Sequence, residues 1–167
     1  MNFEKYKINN LESRPAFWKV RPEEIIETCT SVTKGNVRRL TETPFGFPVF
    51  SVRYGPEREA PGTASWAIGS HSRNIRSYKP EESQSPQTVM LVCGVHSAEA
   101  EATAGAMNLI SLLETGKDYR GEENPRLLSL ISNYRLFILP CVNMDGRSLS
   151  PDHLRGASME EFRRASQ

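Results

Sequence analysis

The chain has 167 residues, of which 25% are charged and 38% hydrophobic, a composition typical of one soluble globular domain and not of a disordered or membrane-spanning protein. Its 21 basic residues nearly balance its 20 acidic ones, so no long-range field favours nucleic acid or an acidic membrane as a partner. No apolar run approaches the roughly 20 residues that span a bilayer, and no signal peptide is recognisable, so we expect a cytoplasmic protein without a membrane anchor.

The first third of the chain predicts a helix followed by a β-hairpin. The segment Arg21-Pro22-Glu23-Glu24 places proline in a first-turn position and two acids against the positive end of the helix dipole, which predicts a helix over residues 22–33. Two strands are predicted over residues 37–41 and 49–54, because a turn-rich segment containing two prolines and a glycine separates them.

The middle of the chain predicts an irregular excursion and then a buried strand. Residues 55–87 are rich in Pro, Gly, Ser and charge, which is typical of irregular structure with at most one short strand. Residues 88–93 form a continuous apolar run with β-branched members. This run predicts a central strand that is covered on both faces of an α/β sheet.

The last third of the chain predicts two helices and one more strand. Apolar residues recur at helical spacing from Ala98 to Leu113, and Thr115-Gly116 marks the stop of this long helix. A shorter helix is predicted over residues 126–131 and a strand over 134–139. This order of elements predicts an α/β domain with a mixed, mostly parallel sheet flanked by helices.

The end of the chain carries the start signal of another helix. Residues 158–161 (Ser-Met-Glu-Glu) form a capping-box pattern only a few residues before Gln167. We interpret this as a truncated domain. The cysteines Cys29, Cys93 and Cys141 are far apart and odd in number, which predicts buried free thiols instead of disulfides or a Cys-x-x-Cys metal site.

The segment with the clearest chemistry is Gly94-Val95-His96-Ser97-Ala98-Glu99, at the junction of a strand and a helix. Open α/β sheets place their ligand sites at such junctions. A histidine beyond the strand end and a glutamate three residues later can turn toward one point, and both side chains suit zinc. The alternative is a loop histidine beside a glutamate that the helix dipole favours by about 0.3 to 1 kcal/mol. Small residues after His96 leave room for a metal and a substrate, which favours the metal site.

A second segment, Pro140-Cys141-Val142-Asn143-Met144-Asp145-Gly146, follows the last predicted strand and by itself indicates only a turn. Together the two segments resemble the zinc carboxypeptidase family, in which Gly-x-His-x-x-Glu follows one central strand and Pro-x-x-Asn-x-Asp-Gly follows the next. The resemblance covers residues 88–156. It implies that residues 1–167 are the N-terminal portion of a single zinc carboxypeptidase-like catalytic domain whose sheet is incomplete.

The resemblance also implies roles for individual residues. His96 and Glu99 would be the first two zinc ligands, and Arg155 would be the catalytic arginine that polarises the scissile carbonyl, as suits a guanidinium beside a developing oxyanion. Arg147 is a rival for that role, and a solvated surface arginine is the alternative. We interpret His71 and His153 as surface residues, with substitution for the third zinc ligand left open. The family's Asn-Arg pair, third zinc ligand and glutamate general base have no match in the chain.

The implied activity is zinc-dependent hydrolysis of an amide bond, as in a metallocarboxypeptidase, with zinc as the cofactor and a peptide or acylated amino acid as the substrate. The Asn-Met-Asp-Gly turn favours this peptidase over a zinc-dependent acylase of the aspartoacylase or succinylglutamate desuccinylase type, which shares His-x-x-Glu. A third hypothesis is a catalytically inactive fragment that acts as a binding module through its sheet edge.

Overall fold

A computed structural model describes residues 14–56 and 87–150 of the chain. Most of the predicted excursion over residues 55–87, and the capping box at 158–161, lie outside these ranges. The described elements, in chain order, are α1 (Pro22–Thr30), β1 (Asn36–Glu42), β2 (Pro48–Tyr54), β3 (Thr88–Val92), α2 (Ala100–Thr115), α3 (Pro125–Ile131), β4 (Arg135–Leu139) and α4 (Met144–Leu149). No helix in these ranges is both long and apolar enough to cross a membrane.

Helix α1 begins where it was predicted and ends three residues earlier. The Glu24 carboxylate reaches back to accept a hydrogen bond from the Arg21 backbone N–H at 3.1 Å, which fixes the first turn. At the other end the backbone amides of residues 33–35 donate to the carboxylate of Glu114 on α2. Because these amides have a partner outside the helix, α1 stops at Thr30 and does not extend to residue 33.

Helix α2 ends at the predicted glycine. Gly116 has a left-handed backbone, with φ 85°, and its N–H donates to the Leu112 carbonyl at 2.9 Å. Only glycine adopts this conformation without a steric penalty, so the stop signal is local and readable from the sequence. Helix α3 starts at an asparagine cap, because the Asn124 side chain accepts a hydrogen bond from the Leu127 N–H at 3.0 Å.

The four described strands form one mixed sheet in the order β1-β2-β4-β3. The hairpin pair β1–β2 and the pair β2–β4 are antiparallel, and β3–β4 is parallel. The predicted α/β class with a mixed sheet and flanking helices is therefore confirmed, whereas the predominance of parallel pairing that was predicted with it is not found among the described strands. Within the described strands only β3 and β4 pair in parallel, because β2 of the hairpin is antiparallel to both β1 and β4.

Strand β3 was predicted as a central, fully covered strand, and that placement is wrong for the described sheet. It lies at the sheet edge, with Met90 60% and Val92 48% exposed. An apolar run fixes the strand conformation but not the strand's position, because position depends on which strands pair with it.

One hydrophobic core joins most of the described elements. It includes Ile25 from α1, Val52 from β2, Ile110 from α2, Ile138 from β4 and Met144 from α4, each at most 1% exposed. The strands and helices that carry the candidate site thus share a core with the hairpin and the first helix.

The cysteines are free thiols as predicted, and two of the three are buried as predicted. All three are free, with Cys29 and Cys141 buried and Cys93 partly buried. Burial raises the pKa of the Cys29 thiol to about 12 and that of Cys141 to about 11, because a thiolate is poorly solvated inside the protein. These two thiols are therefore protonated and unreactive at neutral pH.

Candidate metal centre

The carboxyl ends of the parallel strands β3 and β4 bring the two chemically informative segments together. Hydrogen bonding continues past both strand ends: Cys93 N–H donates to the Leu139 carbonyl at 2.9 Å, and the Val142 N–H donates back to the Cys93 carbonyl at 3.0 Å. One step further, the Asn143 N–H donates to the Gly94 carbonyl at 3.0 Å. The segment around Gly94 and the segment around Asn143 are therefore adjacent, as parallel strands require.

Gly94 makes this close approach possible. Its φ is 62°, and a Cβ atom here would lie 2.7 Å from the Cys141 Sγ atom and 2.9 Å from the Thr103 Oγ1 atom. Both the backbone conformation and the lack of space require glycine. The glycine that opens the Gly-x-His segment thus has a structural role: it lets the chain leave β3 directly against α2 and the segment that follows β4.

His96 and Glu99 close one turn at the exposed edge of the sheet. The Glu99 N–H donates to the His96 carbonyl at 3.1 Å, and Glu99 is the residue that precedes the first turn of α2. Both residues are exposed. Neither side chain forms a hydrogen bond or ion pair with any residue in the ranges 14–56 and 87–150. Both are thus available to a ligand from solution.

The donor chemistry of this turn fits zinc. An imidazole nitrogen and a carboxylate oxygen are common zinc ligands, and a catalytic zinc ion usually has three protein ligands. Among the described residues no group of three or more metal-binding side chains occurs. The turn from His96 to Glu99 therefore fits two of the expected ligands, and a third is not among the described residues.

Asn143 holds the second segment against the first. Its side-chain amide donates to the Val95 carbonyl at 3.3 Å, and its side-chain oxygen accepts from the Gly146 N–H at 2.9 Å. The second contact makes Asn143 the N-cap of the short helix α4. The Asp145-Gly146 pair was predicted as a tight turn, and that prediction is wrong: the pair lies in α4, because the Asn143 cap turns the chain into a helix.

Arg147 on α4 is buried behind the turn that carries His96 and Glu99. It is 2% exposed, and its Nη1 atom donates to the Ser97 carbonyl while its Nη2 atom donates to the Ser150 carbonyl at 3.0 Å. Because both terminal nitrogens are directed at backbone carbonyls inside the protein, Arg147 does not fit the rival role of polarising a substrate carbonyl.

The hairpin tip borders the same region. The Phe45 N–H donates to the Asp145 Oδ2 atom at 3.3 Å, and the Phe45 side chain is 61% exposed. The other carboxylate oxygen of Asp145 is buried and has no hydrogen-bond partner in the described part of the chain. The β1–β2 turn therefore forms one wall beside the segment that follows β4.

The structure describes only part of the predicted set of site residues. It places His96 and Glu99 in one turn, whereas Arg155, His71 and His153 lie outside the described residues. Sequence reasoning missed the contacts of Asn143 and Arg147 with the turn. Asparagine is a favoured N-cap residue, so its type could have revealed the start of α4 at Asn143 but not the contact of Asn143 with Val95. No local pattern reveals the Arg147 contact, because Arg147 and Ser97 are 50 residues apart.

Comparison with known protein families gives one match. The family model for zinc carboxypeptidase matches residues 65–165, which includes both segments of the candidate metal centre. A comparison with curated proteins finds no matching relative.

Among solved structures, twelve chains are similar to this one. One of them is the crystal structure of thrombin activatable fibrinolysis inhibitor, with 14% sequence identity, a TM-score of 0.50 and an overlap that covers 84% of this chain and 30% of that chain. At this identity the likeness shows a shared fold and nothing about activity. This chain spans less than a third of the length of the solved structure.

Proposed function

Because the chain belongs to the zinc carboxypeptidase family, we propose that it acts as a zinc-dependent peptidase that hydrolyses an amide bond in a peptide substrate. The observation that supports the proposal is the exposed turn from His96 to Glu99, which presents an imidazole and a carboxylate at the carboxyl ends of two parallel strands. The family match over residues 65–165 favours this peptidase over the acylase alternative.

In this proposal His96 and Glu99 each contribute one side chain to the metal. When bound, zinc supplies Lewis-acid polarisation of the scissile carbonyl and acidifies water. The edge where the two residues lie is open to solvent, so an extended substrate can approach without displacing part of the core. The family resemblance assigns carbonyl polarisation to Arg155 as well, and the third zinc ligand and the general base are proposed to lie outside the described residues.

The experiment that tests the proposal is a zinc-binding measurement on the purified chain, with His96→Ala and Glu99→Ala variants. Each variant removes one donor, so we expect the zinc dissociation constant to rise about 10-fold or more in both. The matched control is Glu101→Ala, which removes an exposed first-turn acid of α2 and should bind zinc as the unchanged chain does. A fifth protein, His71→Ala, tests the alternative that His71 substitutes for the third ligand: unchanged affinity identifies His71 as a surface residue, and weaker affinity identifies it as a ligand.

The control separates the metal site from the alternative of a loop histidine and a helix-favoured glutamate. Equal zinc affinity in all five proteins would contradict the assignment of His96 and Glu99. If zinc binds through these residues and yet the chain, joined to the residues that supply the third ligand and the general base, releases no amino acid from peptide or acylated substrates, the binding-module hypothesis replaces the peptidase. Amino-acid release that both variants abolish would support the peptidase.

A further inference from the structure

Arg147 is a buried cation that contacts the turn of the candidate metal centre. Moving a guanidinium out of water carries a large cost unless its donors find acceptors. Among the described residues, the carbonyls of Ser97 and Ser150 accept hydrogen bonds from Arg147. A simpler structural role would need only the Ser150 contact, which is local to the end of α4. The Ser97 contact crosses to a different segment of the chain.

The Ser97 carbonyl lies between the two candidate zinc ligands. Its peptide group connects the residue after His96 to the residue before Glu99, so its orientation determines the directions in which those two side chains leave the backbone. A hydrogen bond from a charged donor is stronger than one between neutral groups, and it holds this peptide plane in one orientation. Ser97 is 6% exposed, which also protects the bond from competition with water.

Arg147 does not act alone on this turn. The Asn143 side chain donates to the Val95 carbonyl, and Gly146 packs so closely on Ser97 that a Cβ atom at position 146 would lie 2.7 Å from the Ser97 Cβ atom. Residues 143–147 thus contact the chain on both sides of His96. One short segment after β4 orders the turn that follows β3.

We propose that Arg147 is a positioning residue for zinc: its guanidinium fixes the Ser97 carbonyl and thereby holds His96 and Glu99 in a metal-binding arrangement before the metal arrives. The inference rests on the proposed function for the identity of the metal. Groups that orient ligands without touching the metal typically contribute 10- to 100-fold to metal affinity, because the ordering of the site then precedes binding.

The first readout is the zinc affinity of the 167-residue chain, measured by competition with a chromophoric chelator. Arg147→Met removes the charge and all the donors, and Arg147→Lys keeps the charge without the planar fork that reaches two carbonyls. We expect the zinc dissociation constant to rise about 10- to 100-fold for Arg147→Met and by a smaller factor for Arg147→Lys. The matched controls, Arg38→Met and Arg38→Lys on the exposed strand β1, should leave it unchanged.

The second readout needs no metal. The Glu99 amide donates to the His96 carbonyl, so its hydrogen exchange reports whether the turn is ordered. In metal-free Arg147→Met this amide should exchange about 10-fold faster or more, while the amide of Ile110 in the core of α2 keeps its protection. Uniform loss of protection would mean that the Met variant does not fold, and the Lys variant then decides the question by the same two measurements.

The two readouts distinguish failure of the inference from failure of the proposed function. Unchanged Glu99 exchange in a folded Arg147 variant overturns the positioning role, whatever the zinc affinity. Faster exchange with unchanged zinc affinity also overturns it, because the turn would then not need to be ordered in advance. If the unchanged chain binds no zinc, the proposed function fails, and the exchange rate alone shows whether Arg147 orders the turn.

Discussion

Gly146 is a residue at which the two motif segments pack tightly against each other. A Cβ atom at this position would be 2.7 Å from the Ser97 Cβ atom and 2.8 Å from both polar atoms of the Asn143 side chain. These distances are shorter than van der Waals contact, so a larger residue would displace Ser97 or Asn143. Either movement would disturb the turn of His96 and Glu99. At the scale of single residues, the site therefore depends on glycine at position 146 as much as on the two candidate ligands.

Gly146→Ala should lower the free energy of unfolding by about 1 to 3 kcal/mol, because the added methyl group overpacks the contact between the two segments. The matched control is Gly105→Ala in α2, where a Cβ atom would meet nothing within 4 Å. That control should be neutral or stabilising by about 0.5 to 1 kcal/mol, since alanine favours a helix interior. Urea denaturation measures both, and a loss of similar size in the two variants would contradict the packing explanation.

At the scale of elements, Glu114 joins α2 to the turn between α1 and β1 and to β2. Its carboxylate accepts hydrogen bonds from the backbone amides of Thr33 at 2.8 Å, Lys34 at 3.0 Å and Gly35 at 3.1 Å, and from the Tyr54 hydroxyl at 2.8 Å. Burial acts against ionisation, but the hydrogen bonds from Lys34 and Thr33 outweigh it and lower the pKa of Glu114 to about 2. Burial, together with the hydrogen bond to Glu114, raises the pKa of Tyr54.

The low pKa of Glu114 predicts the pH range in which this carboxylate stops stabilising the junction. A carboxyl whose folded-state pKa is below its ordinary value of 4.5 contributes stability above about pH 4.5, and that contribution disappears as the pH falls toward 2. Glu114→Gln should lower the free energy of unfolding at pH 7 by about 1 to 2 kcal/mol, a modest effect because the carboxylate is partly exposed.

Urea denaturation of Glu114→Gln and the unchanged chain between pH 7 and pH 3 tests the linkage. The difference between the two proteins should stay constant down to about pH 4.5 and shrink below it. Glu27→Gln, on the exposed face of α1, is the control and should change stability little at any pH. A difference that is independent of pH would show that the carboxylate charge does not stabilise this junction.

At the scale of the whole molecule, the core makes the described elements one unit. Ile138 of β4 is fully buried and belongs to the same cluster as Ile25 of α1 and Ile110 of α2. The strand that carries Ile138 also leads into the Asn143 cap and α4. Stability of the core and geometry of the candidate metal centre are therefore linked through β4.

Ile138→Ala should lower the free energy of unfolding by about 2 to 5 kcal/mol, because it leaves a cavity in the shared core. Ile138→Val, which removes one methylene, should cost about 0.5 to 1.5 kcal/mol and keeps the measurement possible if the alanine variant is too unstable. Leu130→Ala, at a side chain that is 58% exposed, is the control and should cost less than either. Chemical denaturation followed by circular dichroism gives all three values. A larger loss for the control would contradict a core centred on β4.

Local patterns were sufficient for the secondary structure of most described segments. The hairpin, the strand that begins at Thr88, the long helix that ends at Gly116 and the strand that ends at Leu139 were predicted within two residues at each end. Their signals are backbone propensities and apolar spacing, which act between near neighbours in sequence. The exceptions are the end of α1, which long-range contacts with Glu114 decide, and α4, where only a turn was predicted.

The metal-ligand assignment of His96 and Glu99 follows from the sequence through motif and family, and it stays a prediction until zinc binding is measured. The sequence by itself determined most of the elements, the α/β class and the candidate ligand pair, because these depend on residue type and short spacing. Only the tertiary structure decided that β3 lies at the edge of the described sheet, that Asn143 caps a helix beside Val95, and that Arg147 reaches Ser97. Those facts depend on strand pairing and on contacts between residues about 50 positions apart, which no local pattern encodes.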